Sequence, residues 1–417
     1  MKSIKNKLTI ATCTLLSQQS GNVLAIENAW EIDNSFLYYS EADDRVSVVK
    51  FIASVGGDVS DRDRVNIQVV LDTMSGSTPS GAVKTSGGGD TVSGASGGGG
   101  TGVSDPNANA LVGFDDTRLA NSLTWTHTHD NNWSIDYNAA VSIENDYRSF
   151  GGAITVNKET TKKDTLFSFG LAATHDEIFR VGAGNTPIPL SQIADNEFAG
   201  EGQRNTTDVI AGLTHVINRR TVGQVNLAFS ISNGYHTDPY KVFSVVDKDT
   251  NVVVQNSSYY ESRPGDRKRA SLTFKLNHQL YPGNNILHGS YRAYGDDWGV
   301  VSHTLDVNYR FNFANTNYLE PRIRLYHQTQ ADFYQNQFFV DIINDGPDFS
   351  QKFPKYISAD YRLDEMSSIT SGIRYGKEVG TDGHLRVRLE YMYQSFENSE
   401  FDTNKAIIFQ IAYSKRF

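Results

Sequence analysis

Four short runs gather the residue types that bind metals or move protons: His175-Asp176-Glu177, His236-Thr237-Asp238, Glu261-Ser262-Arg263 and Asp296-Asp297, with Tyr240 and Lys241 beside the second. Imidazole and carboxylate together accept hard and borderline divalent cations, so these groups would form a ligand or metal site if they converged. Hydrolysis would also need a nucleophile, a base and an oxyanion donor in one place. No Gly-x-Ser-x-Gly run is present, and the His–Asp pairs lie far apart in the chain, so no catalytic residue is assigned. His127 and His129 sit two residues apart beside a turn signal; two ligands alone do not make a metal site. The GGGG run near residue 98 lacks a following Gly-Lys-Ser/Thr and reads as loop, not as a phosphate cradle. Cys13 is the only cysteine, which leaves no route to disulfides, thiolate zinc, iron–sulfur or covalent haem. No cofactor is expected.

A second group of charges is set by strict alternation. Arg322, Arg324 and Tyr326 fall on one side of their segment with Glu320, and Arg386, Arg388 and Glu390 on one side of theirs. Lys275, Arg310 and Arg374 occupy the corresponding polar positions elsewhere, and Asp306 lies near Arg310. The residues between them are apolar, as in TLDVNYRFNF, RASLTFKLN and LRVRLEYMY. Period-two alternation places successive side chains on opposite faces of a strand, and helical spacing fits none of these runs. The closing KAIIFQIAYSKRF repeats it: Ile407, Phe409, Ile411, Tyr413 and Phe417 against Ala406, Gln410, Ser414 and Arg416.

Stepping along the chain, similar segments occur at 30–39, 45–56, 64–73, 117–127, 133–144, 147–157, 165–175, 207–217, 222–233, 285–295, 318–330, 355–363 and 367–377. Short links at 57–63, 128–132, 158–164, 218–221, 281–284, 314–317 and 364–366 all follow even-numbered segments. The long links 74–116, 176–206, 234–266 and 331–354 all follow odd-numbered ones. A transmembrane antiparallel up-and-down β-barrel, with short periplasmic turns and long external loops, predicts that segregation; a Greek-key sandwich does not. The count reaches seventeen, whereas both ends on one side of a membrane require an even number. One segment between 331 and 405 is therefore wrong, and the barrel has sixteen or eighteen strands.

The other bounds agree. Residues 1–25 read as a signal peptide: MKSIKNK is basic, LTIATCTLLS apolar, and Val23-x-Ala25 a small-residue cleavage site. A lipoprotein start at Cys13 is the alternative, weakened by Thr12 before it. After residue 25 no apolar run is long enough for a transmembrane helix, while 21 Tyr and 22 Phe suit strands that dilute one greasy face with a polar one. The net charge is −10, and no basic tract exists, so no nucleic-acid partner is expected. Residues 26–417 then form one outer-membrane β-barrel, with 74–116 a Gly/Ser-rich mobile external loop. Its rim acids would meet lipid and lipopolysaccharide, and Phe417 would be read by the barrel-assembly machinery.

The stretches LYYSEADDRVSV, LDTMSGSTPSGA, HTDPYKVFSVVD, YYESRPGDRKR, YGDDWGVVSHTLDVNYR, ADFY and YISADYRL are similar to the domain-of-unknown-function 3570 family. The resemblance runs over nearly the whole chain after the signal. It implies a Gram-negative outer-membrane barrel without a settled activity. It also implies an extracytoplasmic redox or metal-handling setting, with a small periplasmic or lipoprotein partner. It supplies no site residues. The sequence thus leaves two readings of the charged faces: a channel wall selecting small polar or charged solutes, or a lumen plugged by its own Arg–carboxylate network. An outer-membrane hydrolase is the remaining alternative.

Overall fold

The computed structural model describes residues 30–417 except 44, 83–110, 182–183, 196, 201, 252, 281–283, 314–315 and 342–352. The signal segment and most of 74–116 lie outside the described residues. Nineteen strands are present among those described: β1 (Trp30–Glu41), β2 (Val46–Asp58), β3 (Asp63–Pro79), β4 (Leu111–His129), β5 (Trp133–Ile143), β6 (Tyr147–Glu159), β7 (Thr165–Ile178), β8 (Gly202–Asn218), β9 (Thr221–Gly234), β10 (Val242–Asp247), β11 (Val253–Tyr260), β12 (Asp266–Gln279), β13 (Ile286–Asp296), β14 (Val301–Phe313), β15 (Asn317–Gln328), β16 (Phe338–Val340), β17 (Met366–Val379), β18 (Gly383–Phe396) and β19 (Thr403–Arg416). Sixteen of them close an antiparallel barrel in chain order, with β10, β11 and β16 left out as a separate small sheet.

Closure follows from the pleat. β1 pairs β2 on one side and β19 on the other, from Glu31 opposite Arg416 to Glu41 opposite Ala406, so no edge is left unpaired. The backbones of Trp30 and Phe417 exchange two hydrogen bonds of 3.0 Å at the end of this seam. Outward positions are greasy: Phe51, Leu71, Phe169, Phe229 and Leu389 are 46–56% exposed. Such a band is stable only against lipid, and closed strands are one of two ways to cross it with every backbone group bonded. The chain is therefore a transmembrane barrel. No helix long and apolar enough to span a membrane occurs among the described residues.

The odd segment is 355–363. Its alternation is real, because Ile357, Ala359, Tyr361 and Leu363 are buried, but so are the intervening Ser358 and Asp360. A segment covered on both sides cannot face lipid, and it forms isolated bridges and a 3-10 turn (Tyr361–Leu363) instead of a barrel strand. Removing it gives sixteen. It also reassigns 364–366 to the tail of a long link, the true short turn being 380–382 between β17 and β18. Likewise β3 and β4 extend to Pro79 and from Leu111, six residues further at each end than the 74–116 loop allows.

β10 and β11 pair antiparallel and β16 joins β10 in parallel. Their core is Phe243, Val245, Tyr259, Val340, Ile357 and Ala359, with Phe353 stacked edge-on to Phe243, Tyr259 and Phe338. This body touches turns on every side of the barrel's long-loop end. Val242 N–H donates to Ser80 O beyond β3 at 3.0 Å, and Leu190 and Tyr260, the latter with Ser191, bond across from the β7–β8 link. Asp332 N–H reaches Trp298 O between β13 and β14 at 2.9 Å. Tyr361 packs on Phe396 of β18 and under the Arg45 guanidinium between β1 and β2. A body held from all sides of a ring lies across it: the barrel carries a cap.

Candidate functional site

The cap is pinned by a cluster of buried charges from three separated segments. Arg263 reaches Glu261 (Nε–Oε1 2.6 Å) and Asp360 (2.8 Å), all three nearly without solvent. Arg362 spans from Asp360 to Asp238, the latter at 2.7 Å. Glu261 also accepts from Asp238 N–H at 2.7 Å and from the Ser358 hydroxyl. Lys241, only 2% exposed, donates to the Pro79 carbonyl at the end of β3. Burial works against ionisation of Asp360 and Asp238, but Arg362, Lys241 and Arg263 outweigh it and hold both carboxyls below their ordinary range. Burial pushes Glu261 up and Lys241 down. Three cations against three carboxylates leave the cluster near neutrality, which is how buried charge is tolerated.

The remaining rim residues do not converge on one ligand. His175 lies on the outer face of β7, bonded to Asn205 at 2.8 Å. Asp176, one residue on, faces inward and holds Tyr147, Ser149 (2.8 Å) and Arg204 (Nε 2.9 Å). Glu177 lies 3.7 Å from Arg148. His236 is buried edge-on to Trp298 with Ser232 Oγ at 2.8 Å. Tyr240 Oη accepts from Val181 N–H, Asp296 clamps Arg267, and Asp297 accepts from Lys268 N–H at 2.8 Å. The His–Asp runs therefore do not bring their members together: adjacent residues of a strand point to opposite faces, and the loop residues serve the cap. Among the described residues one trio, Asp116, Glu144 and Asp146, has metal-like spacing, and none of it was singled out. His127 is bonded to Asp63 at 2.7 Å on the outer face.

Below the cap, every lumen candidate faces inward, since its neighbours Phe274, Phe311, Ile323, Leu325, Ile373 and Leu389 face out. They divide into two kinds. Arg322 is fully committed, with Nε 3.1–3.2 Å from both Asp306 oxygens and Nη1 2.9 Å from Glu390. Glu390 reaches it across β17 because Gly372 lies between; a Cβ there would come 2.4 Å from Glu390 Cγ. Arg374 pairs Glu320 at 2.8 Å, Arg386 pairs Asp33 at 2.7 Å, and Arg388 lies 3.7 Å from Glu390. Lys275, Arg310 and Arg324, by contrast, have no carboxylate partner among the described residues, nor does Arg292 on β13. Arg310 lies 3.6 Å over the Tyr318 ring, and Arg324 is exposed although it points into the barrel. A cation exposed on an inner wall stands in water.

The chain belongs to the family described as a protein of unknown function, DUF3570, whose model matches residues 5–407. No curated protein matches it. Among solved structures it is similar to a bacterial polysaccharide outer membrane secretin (TM-score 0.46, 9% identity, 94% of this chain and 100% of that one). It is also similar to the outer membrane protein opdK from Pseudomonas aeruginosa (0.41, 8%, 94% and 99%) and to the Pseudomonas putida toluene transporter TodX (0.36, 11%, 94% and 90%). These are likenesses of barrel form and say nothing of a solute.

Proposed function

We propose that this protein is an outer-membrane transport barrel for small polar or charged solutes, with a preference for anions and with its external mouth closed by the cap in the resting state. The observation that carries this is the strip Lys275, Arg292, Arg310 and Arg324 on adjacent strands β12–β15, inward-facing and without an ion-paired carboxylate among the described residues. A plug built only for stability would neutralise such cations, because a buried unpaired charge costs several kcal/mol. Left free in a narrow aqueous space with low-dielectric walls, they focus a positive field on whatever enters. Loop acids far from the strip are screened over about 8 Å at physiological salt and do not cancel it. The reading rests on charge and access, not on the redox or metal-handling setting that the family resemblance implied, and it assigns no enzymatic step.

The second reading, a structural barrel whose cap never opens, is favoured by the buried charge cluster. One experiment separates them. In planar bilayers the wild type is expected to conduct rarely. Arg263→Leu, which strands Glu261 beneath the cap and leaves Asp360 to Arg362 alone, is expected to open it and to show anion-selective reversal potentials. Adding Lys275→Ser and Arg324→Ser should shift those potentials toward zero. Silence from a folded Arg263→Leu barrel would leave the structural reading standing.

A further inference from the structure

At the short-turn end lies a cavity of about 280 Å³, lined from the inner face by Arg310, Tyr318, Glu378, His384, Arg386 and Ser414, with Thr316 of the turn and the outward-facing positions Lys377 and Leu385 at its edge. It lies where five consecutive barrel strands meet the short turns: the ends of β14, β17 and β19, the starts of β15 and β18. On its inner face two arginines, Arg310 and Arg386, meet one carboxylate. Arg386 is already engaged by Asp33 through one nitrogen at 2.7 Å, and Glu378 is the single acid in the lining.

The geometry around Arg310 is that of a placed group. Its guanidinium stacks on Tyr318 at 3.6 Å, and that ring lies flat across β17 over Gly376. A Cβ at residue 376 would come 2.1 Å from two ring carbons and 2.5 Å from the hydroxyl, so only glycine lets the ring lie there. The ring is thus held between a backbone and an arginine, and it offers the arginine's charge no counter-ion. Stacking fixes the plane of the fork, and a fixed fork matches the two oxygens of a carboxylate or phosphoryl group.

We propose that this cavity is a binding subsite for a small anion bearing a carboxylate or phosphoryl group, held by Arg310 and reached from the short-turn side. Its volume lies just under the range of ordinary small-molecule sites, which limits the occupant to a few heavy atoms beyond the anionic group. The subsite deepens the transport reading by naming a solute class. It does not need conduction, because a barrel that never opens can still bind.

The test is calorimetric titration of the detergent-solubilised full chain at low salt, with succinate and inorganic phosphate as separate probes. Binding of either or both is expected, and which one binds identifies the anionic group. Arg310→Gln should weaken it by more than tenfold. Tyr318→Phe, which keeps the ring, should retain binding, whereas Tyr318→Leu should lose it; Arg64→Gln at the start of β3, where the arginine pairs with Asp58 outside the cavity, should change nothing. Heat-modifiable migration in gels confirms that each variant is folded. Absence of binding by the wild type, or undiminished binding by folded Arg310→Gln, would overturn the assignment.

Discussion

His236 shows how one residue can couple the cap to acidity. Burial, then Arg204, Arg269 and Arg267 nearby, pull its pKa down to about 3, so the closed cap holds a neutral imidazole between Ser232 and Trp298. In an opened cap it would regain an ordinary value near 6.5. Below that pH the open state takes up a proton and the closed state does not, so closure loses stability as pH falls from about 6.5 toward 3. The slope approaches ~1.4 kcal/mol per pH unit. Asp238 and Asp360, whose pKa values are depressed, act in the same sense, but only as pH drops below about 4. Glu261, raised by burial, opposes them: its contribution is present at low pH and lost as pH rises through its folded value. Exchange of amide hydrogens over 236–263, corrected for intrinsic rate, should therefore accelerate between pH 7 and 5. In His236→Gln that acceleration should shrink; an identical pH response in both chains would remove the histidine from the account. The sequence showed His236 beside Asp238 and suggested shared ligation. What it could not show is that Trp298, sixty-two residues later, covers the ring.

Elements were legible where one face meets lipid and illegible where both are covered. The barrel strands announce themselves by alternation, because lipid and water demand opposite chemistry on the two sides. VFSVVD at β10 does not alternate, and Val242, Phe243, Ser244, Val245 and Val246 are all buried. A short continuous apolar run inside a long link is a signal for a strand buried on both sides, and here it lay unread within 234–266. In 355–363 alternation misled, since the packing partner is the cap core and not lipid. Gly372 and Gly376 carry a further message that periodicity cannot convey: each makes room for a side chain from a neighbouring strand. The direction of the elements is testable. The β10–β11 turn at 248–251 caps the long-loop end, whereas 161–163 belongs to a turn at the opposite end. An epitope inserted at 249 should be labelled by antibody on intact cells, and one at 162 only after the outer membrane is opened. The reverse pattern would invert the barrel.

At the scale of the molecule, barrel and cap are separable by construction. The cap's hairpin is an insertion between β9 and β12, whose own ladder already pairs Asn233 with Asp266 and continues to Thr221 and His278. At its neck Gly234 donates to the Gly265 carbonyl at 2.8 Å, in a conformation (φ 124°) that leaves no space for a Cβ, which would lie 2.1 Å from Gln203 O. The chain therefore turns back on itself at 234–265 whatever lies between. Replacing 235–264 by Asn-Gly supplies the turn that a two-residue hairpin favours. Loop shortening of this kind changes closure entropy by only about 0.6 kcal/mol per halving, so the ladder should not suffer from it. The excision leaves Arg362 and Asp360 facing each other in a site now open to water, where an ion pair is nearly neutral in energy. The shortened chain is expected to remain heat-modifiable and membrane-inserted, and to conduct at least tenfold more charge than the wild type at equal protein. A variant that no longer assembles would mean that the cap is part of the barrel's folding core. One that assembles and stays silent would place a second barrier in the lumen, below the cap and beside the arginine strip.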